Sequence, residues 1–236
     1  EWAPGCILAD DMGLGKTVQT AAVMLARKKL GPQLVVAPAS VTSNWVAELG
    51  RFVPSLRVVF LAADREADLA RLGEGDVLVV SYGLLARVAK DLEPIDFATV
   101  VLDEAQFLKN ALAQRSFAAR GTKRRFTIAL TGTPLENHLG ELHALVDQVF
   151  PGLLGPEASF RERFRRPIEA GVGEERLTVL SALLAPFLLR RTRKAVLEEL
   201  PERSETTRFV ELSDDEAKRY AALRRATELS LGNRSK

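Results

Sequence analysis

Residues 7–17 read Ile7-Leu8-Ala9-Asp10-Asp11-Met12-Gly13-Leu14-Gly15-Lys16-Thr17. No other stretch restricts the fold so tightly. A loop of this composition has to leave a buried strand and enter a helix, because that path aims successive backbone N–H groups at one anion. Gly13 and Gly15 allow the tight turn. Lys16 brings a positive charge for β- and γ-phosphates, and Thr17 a hydroxyl for Mg²⁺. The helix that starts near Thr17 adds the positive end of its dipole. Residues 10–17 are therefore the candidate nucleotide-binding residues. The strict pattern would place glycine at position 10, where Asp10 stands, and an ordinary glycine turn is the alternative. The flanking strand and helix patterns favour the phosphate reading.

The rest of the chain agrees with that start. Apolar runs at 6–9, 34–37, 57–61, 77–80, 98–102 and 126–130 alternate with segments of helical period. Val18, Ala21, Ala22 and Leu25 follow the i, i+3, i+4, i+7 spacing, and Gly31-Pro32 ends that helix. Buried runs alternating with helices predict an α/β fold, a parallel sheet covered on both faces. Ligands of such sheets lie at the carboxyl ends of the strands. After about residue 150 the strand pattern stops. Pro151-Gly152 and Gly155-Pro156 punctuate the chain; Phe160, Phe164 and the segment 176–199 then read as helical. Leu177, Leu180, Leu183 and Leu184 form a stripe that Pro186 interrupts. The predicted organisation is an α/β lobe over 1–150 and a helical extension with a return segment over 151–205. Residues 206–236 follow, with one strand at 206–212 and then a charged helix.

Composition bounds the function. With 47% apolar residues among 236, a real core is available. No apolar stretch approaches the roughly 20 residues that cross a bilayer, and no leader precedes the first strand. The expectation is an intracellular protein, in cytoplasm, nucleoid or nucleus, without a membrane partner. The single Cys6 reads as a small core residue. His138 and His143 fall on one predicted helix and read as surface or structural rather than metal-binding. A net charge of +2 is too small to announce nucleic acid. The basic clusters at 123–125, 161–166 and 190–194 read by themselves as solvated faces.

A second chemical motif follows the apolar run Val100-Val101-Leu102. Asp103 and Glu104 sit at its carboxyl end, with Ala105 and Gln106 behind them. In an enzyme with a phosphate loop, the first acid holds Mg²⁺ and the second polarises the attacking water. Asp103 as a helix cap is the alternative. After the run at 126–130 comes Thr131-Gly132-Thr133-Pro134, an ordinary turn with hydroxyls when taken alone.

Together these segments resemble the Swi/Snf-type ATPases of helicase superfamily two. The resemblance runs through residues 10–17, through Val36-Ala37-Pro38-Ala39-Ser40 with Asn44-Trp45, and through Val80-Ser81-Tyr82. It continues in Asp103-Glu104-Ala105-Gln106 with Lys109-Asn110, and in residues 130–137. Residues 151–155 and the segment Pro186-Phe187-Leu188-Leu189-Arg190-Arg191-Thr192-Arg193 with Leu200-Pro201 are its most specific parts. The resemblance implies the first RecA-like lobe of a two-lobe motor with a helical protrusion. It implies ATP and Mg²⁺ as cofactors and double-stranded DNA as a partner, contacted at phosphates with little sequence specificity. Lys16, Asp103 and Glu104 would be catalytic, and Thr17 and Asp103 would hold metal. Gln106, Thr131, Gly132 and Thr133 would couple the lobes. Ser40, Ser43, Asn44, Ser81 and Tyr82 would meet the DNA backbone.

The sequence departs from the family at Gln106, where many relatives have histidine. Only five residues precede the first strand, and the adenine-recognising glutamine has no counterpart. Residues 206–220 resemble the entry to a second lobe, which makes 206–236 the start of that lobe or a linker, but the later motifs of a second lobe have no counterpart either. The implied molecule is one half of an engine that remodels protein–DNA complexes, hydrolysing ATP poorly alone. The alternative is a nucleotide-dependent interaction module that never hydrolyses ATP; intact Lys16, Asp103 and Glu104 speak against it. The segment 186–193 speaks against an RNA-directed enzyme. Without nucleotide, the Lys16 ammonium is expected within salt-bridge reach of Asp103 or Glu104, or against a solvent anion.

Overall fold

The computed structural model describes residues 4–61, 69–108, 114–132, 139–196 and 213–232. The chain divides into two compact units, Glu1–Glu198 and Glu199–Lys236.

The first unit is built on a seven-stranded sheet whose paired neighbours are all parallel. The strands are β1 (Gly5–Leu8), β2 (Gln33–Ala37), β3 (Arg57–Phe60), β4 (Asp76–Ser81), β5 (Thr99–Leu102), β6 (Thr127–Leu130) and β7 (Leu188–Leu189). Their order across the sheet is β3-β4-β2-β5-β6-β1-β7. Alternate side chains leave opposite faces, so each central strand feeds two cores. Val35, Ala37, Val77, Val79, Val101 and Ile128 pack beneath α1 (Lys16–Ala26) and α2 (Thr42–Phe52). Leu34, Val36, Leu78, Val80, Val100 and Leu102 face the other way. There they meet α3 (Tyr82–Leu92), α4 (Gln114–Gly121) and α5 (Leu139–Val149).

Residues 151–196 belong to the same unit. A helical stretch runs through α6 (Glu157–Phe160), a π-helical turn at Arg161–Arg165 and α7 (Arg166–Glu169). Phe160 and Phe164 pack into the second core with Leu180 and Leu184 of α8 (Glu174–Leu184). His143 is buried on α5, its Nε2 2.9 Å from the Gly155 carbonyl and its ring against Phe160. His138 lies outside the described residues. No helix among the described residues is long and apolar enough to cross a membrane.

Four expectations need correction. The strand pattern does not end at 150: Leu188 and Leu189 pair in parallel with Ile7 and Leu8, so 176–199 is not continuously helical. Only α9 (Arg193–Val196) follows β7 among the described residues of this unit. The buried face of α1 is Thr20, Ala21 and Met24, while Val18 is 39% exposed. Thr20 tolerates burial because its hydroxyl donates to the Lys16 carbonyl at 2.8 Å. On α8, Leu177 and Leu183 remain partly exposed. Arg124 is no solvated residue either. It donates to the Ala119, Thr122 and Gln148 carbonyls and to Thr127 Oγ1, tying α4, β6 and α5 together.

In the second unit, α10 (Asp214–Gly232) starts behind Ser213, whose N–H and Oγ–H both donate to Glu216 Oε2, at 3.0 and 2.7 Å. This is a capping-box arrangement. The strand expected at 206–212 lies outside the described residues.

Candidate nucleotide and nucleic-acid site

Because the sheet is parallel, every strand end that carries a motif emerges on one edge. β1 leads into the loop 9–15, β5 into Asp103 and Glu104, and β6 into Thr131 and Gly132; β2 and β4 lead into Ser40 and into Ser81 with Tyr82. The loop and the acids are separated by β6 alone.

Gly13 and Gly15 take φ values of 87° and 74°, the left-handed region where glycine costs least. Gly15 stands before the first residue of α1, and α1 has no side-chain cap and no acid in its first turn. Among the described residues, nothing accepts from the N–H groups of Gly15, Lys16 or Thr17. A bare helix start of this kind favours an anion. The Lys16 ammonium donates to the carbonyls of Asp10 at 2.8 Å and Asp11 at 3.4 Å. It does not reach Asp103 or Glu104, which corrects the expected salt bridge. The loop carbonyls are nearer and need no desolvated carboxylate. Even so, the Lys16 charge acts on Asp103.

Asp103 is held from three sides. Its Oδ2 accepts from Trp45 Nε1 at 2.7 Å, its Oδ1 from the Glu104 N–H at 2.9 Å, and its carbonyl from the Tyr82 hydroxyl at 2.8 Å. Burial pushes the Asp103 carboxyl above its usual range, opposed by the Trp45 hydrogen bond and helped by the neighbouring Glu104 charge. Glu104 has φ 47°, a strained value for a residue with a side chain. Its Oε2 accepts from Gln106 Nε2 at 2.6 Å, and Gln106 Oε1 accepts from Thr131 Oγ1 at 2.9 Å. Glutamine at 106 therefore bridges the acid and the β6 edge, donating to one and accepting from the other. Gly132 follows Thr131; Thr133, Lys109 and Asn110 lie outside the described residues.

Ser40, Ser43 and Asn44 are exposed at the start of α2, and Ser81 is half-buried before α3, where its Oγ accepts from the Leu84 N–H. Tyr82 is buried, its hydroxyl spent on Asp103 rather than shown to solvent. Asp10 is also fully buried. Both its oxygens accept from Arg191 Nε, at 3.2 and 3.1 Å, and Oδ1 also from the Arg191 N–H at 2.9 Å. Burial works to raise the Asp10 carboxyl, but the hydrogen bonds and charge of Arg191 outweigh it and hold the group below the usual range. Arg193 donates its N–H to Asp11 Oδ2 at 3.0 Å and its Nε to the Met12 carbonyl. Its guanidinium lies over Gly13, where a Cβ would come within 3.2 Å. Sequence reasoning gave Arg191, Arg193 and the Trp45 N–H no role. The signals present were the specific run 186–193 for the arginines and Asn44-Trp45 for the ring.

The donor set fits ATP with Mg²⁺. Thr17 and Asp103 offer hard oxygens, the kind of ligand Mg²⁺ takes alongside phosphate and water. The free helix-start N–H groups and Lys16 suit polyphosphate.

Residues 2–236 match the SNF2-related domain family. YwqA of Bacillus subtilis (strain 168) is 41% identical over 229 residues, covering 93% of this chain and 25% of that protein. The chromatin-remodeling ATPase INO80 of Arabidopsis thaliana is 34% identical, covering 98% of this chain and 17% of its own. Among solved structures, the Sulfolobus solfataricus SWI2/SNF2 ATPase core in complex with dsDNA superimposes with a TM-score of 0.74 at 37% identity. That match covers 92% of this chain and 47% of the other. The chain thus spans a quarter or less of these two relatives and about half of the solved core.

Proposed function

The chain belongs to the SNF2-related domain family, and from that premise we propose that it is the first RecA-like lobe of a duplex-DNA-stimulated ATPase that translocates on DNA or remodels protein–DNA complexes. One observation carries the reading. The uncapped loop with Lys16 and the pair Asp103–Glu104 share one sheet edge, one strand apart. A pure binding module needs the loop but not the second acid.

In this reading the N–H groups around Gly15 to Thr17 and the Lys16 ammonium hold the β- and γ-phosphates. Binding draws Lys16 off the Asp10 and Asp11 carbonyls. Thr17 and Asp103 would hold Mg²⁺, which supplies charge neutralisation for the phosphates. Glu104 accepts the proton of the attacking water, oriented by Gln106, and Thr131 carries that state to the β6 edge. Ser40, Ser43, Asn44 and Ser81 meet phosphates of the duplex, which explains binding without base readout.

The chain covers about half of the solved core to which it is similar. An arginine from a facing lobe is worth about 10³–10⁵ in rate, so the 236-residue chain alone should turn over ATP slowly.

Equilibrium binding tests the site. Lys16→Ala should cost about 1.5–3 kcal/mol of Mg·ATP affinity, the worth of a charge-assisted contact. Unchanged affinity rejects the assignment. Turnover by the full-length protein that rises with duplex DNA, and not with RNA, supports the substrate; an equal response to RNA contradicts it.

A further inference from the structure

Two aromatic side chains link the DNA-facing edge to the acids. Trp45 is 2% exposed and Tyr82 4% exposed. Each comes directly after the polar residues that its helix shows to solvent or to its cap. Ser43 and Asn44 precede Trp45 in the first turn of α2, and Ser81 precedes Tyr82, the first residue of α3. Each turns its polar tip inward onto the same residue. Trp45 Nε1 holds the Asp103 side chain at 2.7 Å and Tyr82 Oη holds the Asp103 carbonyl at 2.8 Å. That carbonyl belongs to the peptide leading into Glu104, whose φ of 47° needs external support.

Buried Trp and Tyr commonly satisfy their polar atoms somewhere, so one such bond would mean little. Here two separate helices converge on one catalytic acid, fixing its rotamer from one side and its peptide plane from the other. Between the two helix starts lies a shallow groove of about 330 Å³, walled by Phe60 and Leu61 at the end of β3, whose polar lining is Thr42, Ser81 and Arg87. Arg87 is exposed and has no acid partner among the described residues. A phosphate in this groove would adjoin both helix starts.

We propose that Trp45 and Tyr82 are positioning residues that couple duplex phosphates at the starts of α2 and α3 to the Asp103–Glu104 acids within this single lobe. The inference rests on the function proposed above. It adds that coupling does not depend wholly on closure against a second lobe. Rigid rings suit the task, since each moves with its helix and has few torsions of its own.

Coupling between two sites is reciprocal and measurable as a ratio of affinities. The test uses the 236-residue chain, a fluorescein-labelled duplex of random sequence, and a non-hydrolysable ATP analogue with Mg²⁺. Duplex affinity is read by anisotropy without analogue and at saturation, and analogue affinity with and without duplex. The wild-type chain should show the same several-fold factor in both directions. Tyr82→Phe, which removes one hydroxyl and no carbon, and Trp45→Phe should each bring that factor towards one. For Tyr82→Phe, which leaves the Asp103 carboxylate and its Trp45 bond in place, each single-ligand affinity should stay within about twofold, a split that general loosening of the fold would not produce. If Trp45→Phe does not fold, Tyr82→Phe decides alone. The inference is overturned if the factor survives in Tyr82→Phe, or if the wild-type chain binds both ligands without any coupling. A chain that binds neither ligand overturns the reading of the site as well.

Discussion

Gly5 occupies the first position of β1, paired with Thr127 of β6. A Cβ there would overlap the Thr127 carbonyl oxygen and come within 2.6 Å of Val149 Cγ1. Both approaches lie far inside van der Waals contact. The oxygen belongs to the backbone of the neighbouring strand, so no rotamer change relieves it. Gly5→Ala therefore has to part β1 from β6 or push α5 outward. Overpacking of this kind costs about 1–3 kcal/mol, and for a chain of this size each kcal/mol lowers Tm by about 2–4 °C. Gly50→Ala on α2 is the matched control. Its Cβ meets nothing within 4 Å, and alanine in a helix is favoured over glycine by about 0.5–1 kcal/mol. Thermal melts by circular dichroism should show the two alanines moving Tm in opposite directions. Because β1 carries the phosphate loop at its far end, Gly5→Ala should also weaken Mg·ATP binding. A Gly5→Ala chain that melts at the wild-type temperature would refute the packing argument.

Acid should act on the fold through Asp10. Its folded carboxyl lies below the usual range, so its contribution to stability is present above the unfolded value of about 3.9 and is lost as pH falls through the folded value. Asp103 has the opposite sign: its raised carboxyl favours the fold below the unfolded value and loses that as pH rises through the folded one. Melts of Asp10→Asn should therefore be less sensitive than wild type to acid as pH falls below about 4; an equal slope counts against the Arg191 clamp. Duplex binding should weaken linearly in log–log salt titrations, by about 0.9 per neutralised phosphate. Affinity that distinguishes one sequence from its scramble at constant salt would contradict a phosphate-only contact.

Much of this was legible because it rests on local patterns. β2 and β4 are buried on both faces, so Leu34 to Ala37 and Val77 to Val80 read as unbroken apolar runs, as strands of parallel sheets do. The loop at 10–17 and the acids at 103–104 announce themselves by residue type and by the strands before them. What stayed hidden depends on distant partners. β7 is two residues long, too short for any period. It exists because the Phe187 and Leu189 carbonyls accept from Ile7 and Ala9, far away in sequence. Arg124 reads as part of a charged surface, and only the turn between α4 and β6 folds it onto the carbonyls of Ala119, Arg120, Thr122 and Gln148. Asp10 reads as a loop residue beside the phosphates, while its carboxylate faces Arg191, 181 positions away. Trp45 enters the sequence reading only beside Asn44, as part of the resemblance, and nothing local shows that its N–H reaches Asp103.

The central claim is that polyphosphate sits on the loop at 13–17 with its metal between Thr17 and Asp103. A crystal structure of this chain with a non-hydrolysable ATP analogue and Mn²⁺ in place of Mg²⁺, recorded for anomalous scattering, tests it most directly. A manganese peak should appear flanked by the Thr17 hydroxyl, the Asp103 carboxylate and the phosphates, with Lys16 moved from the Asp10 carbonyl onto a phosphate oxygen. Nucleotide bound elsewhere, with Lys16 still on Asp10 and no metal between Thr17 and Asp103, would contradict it.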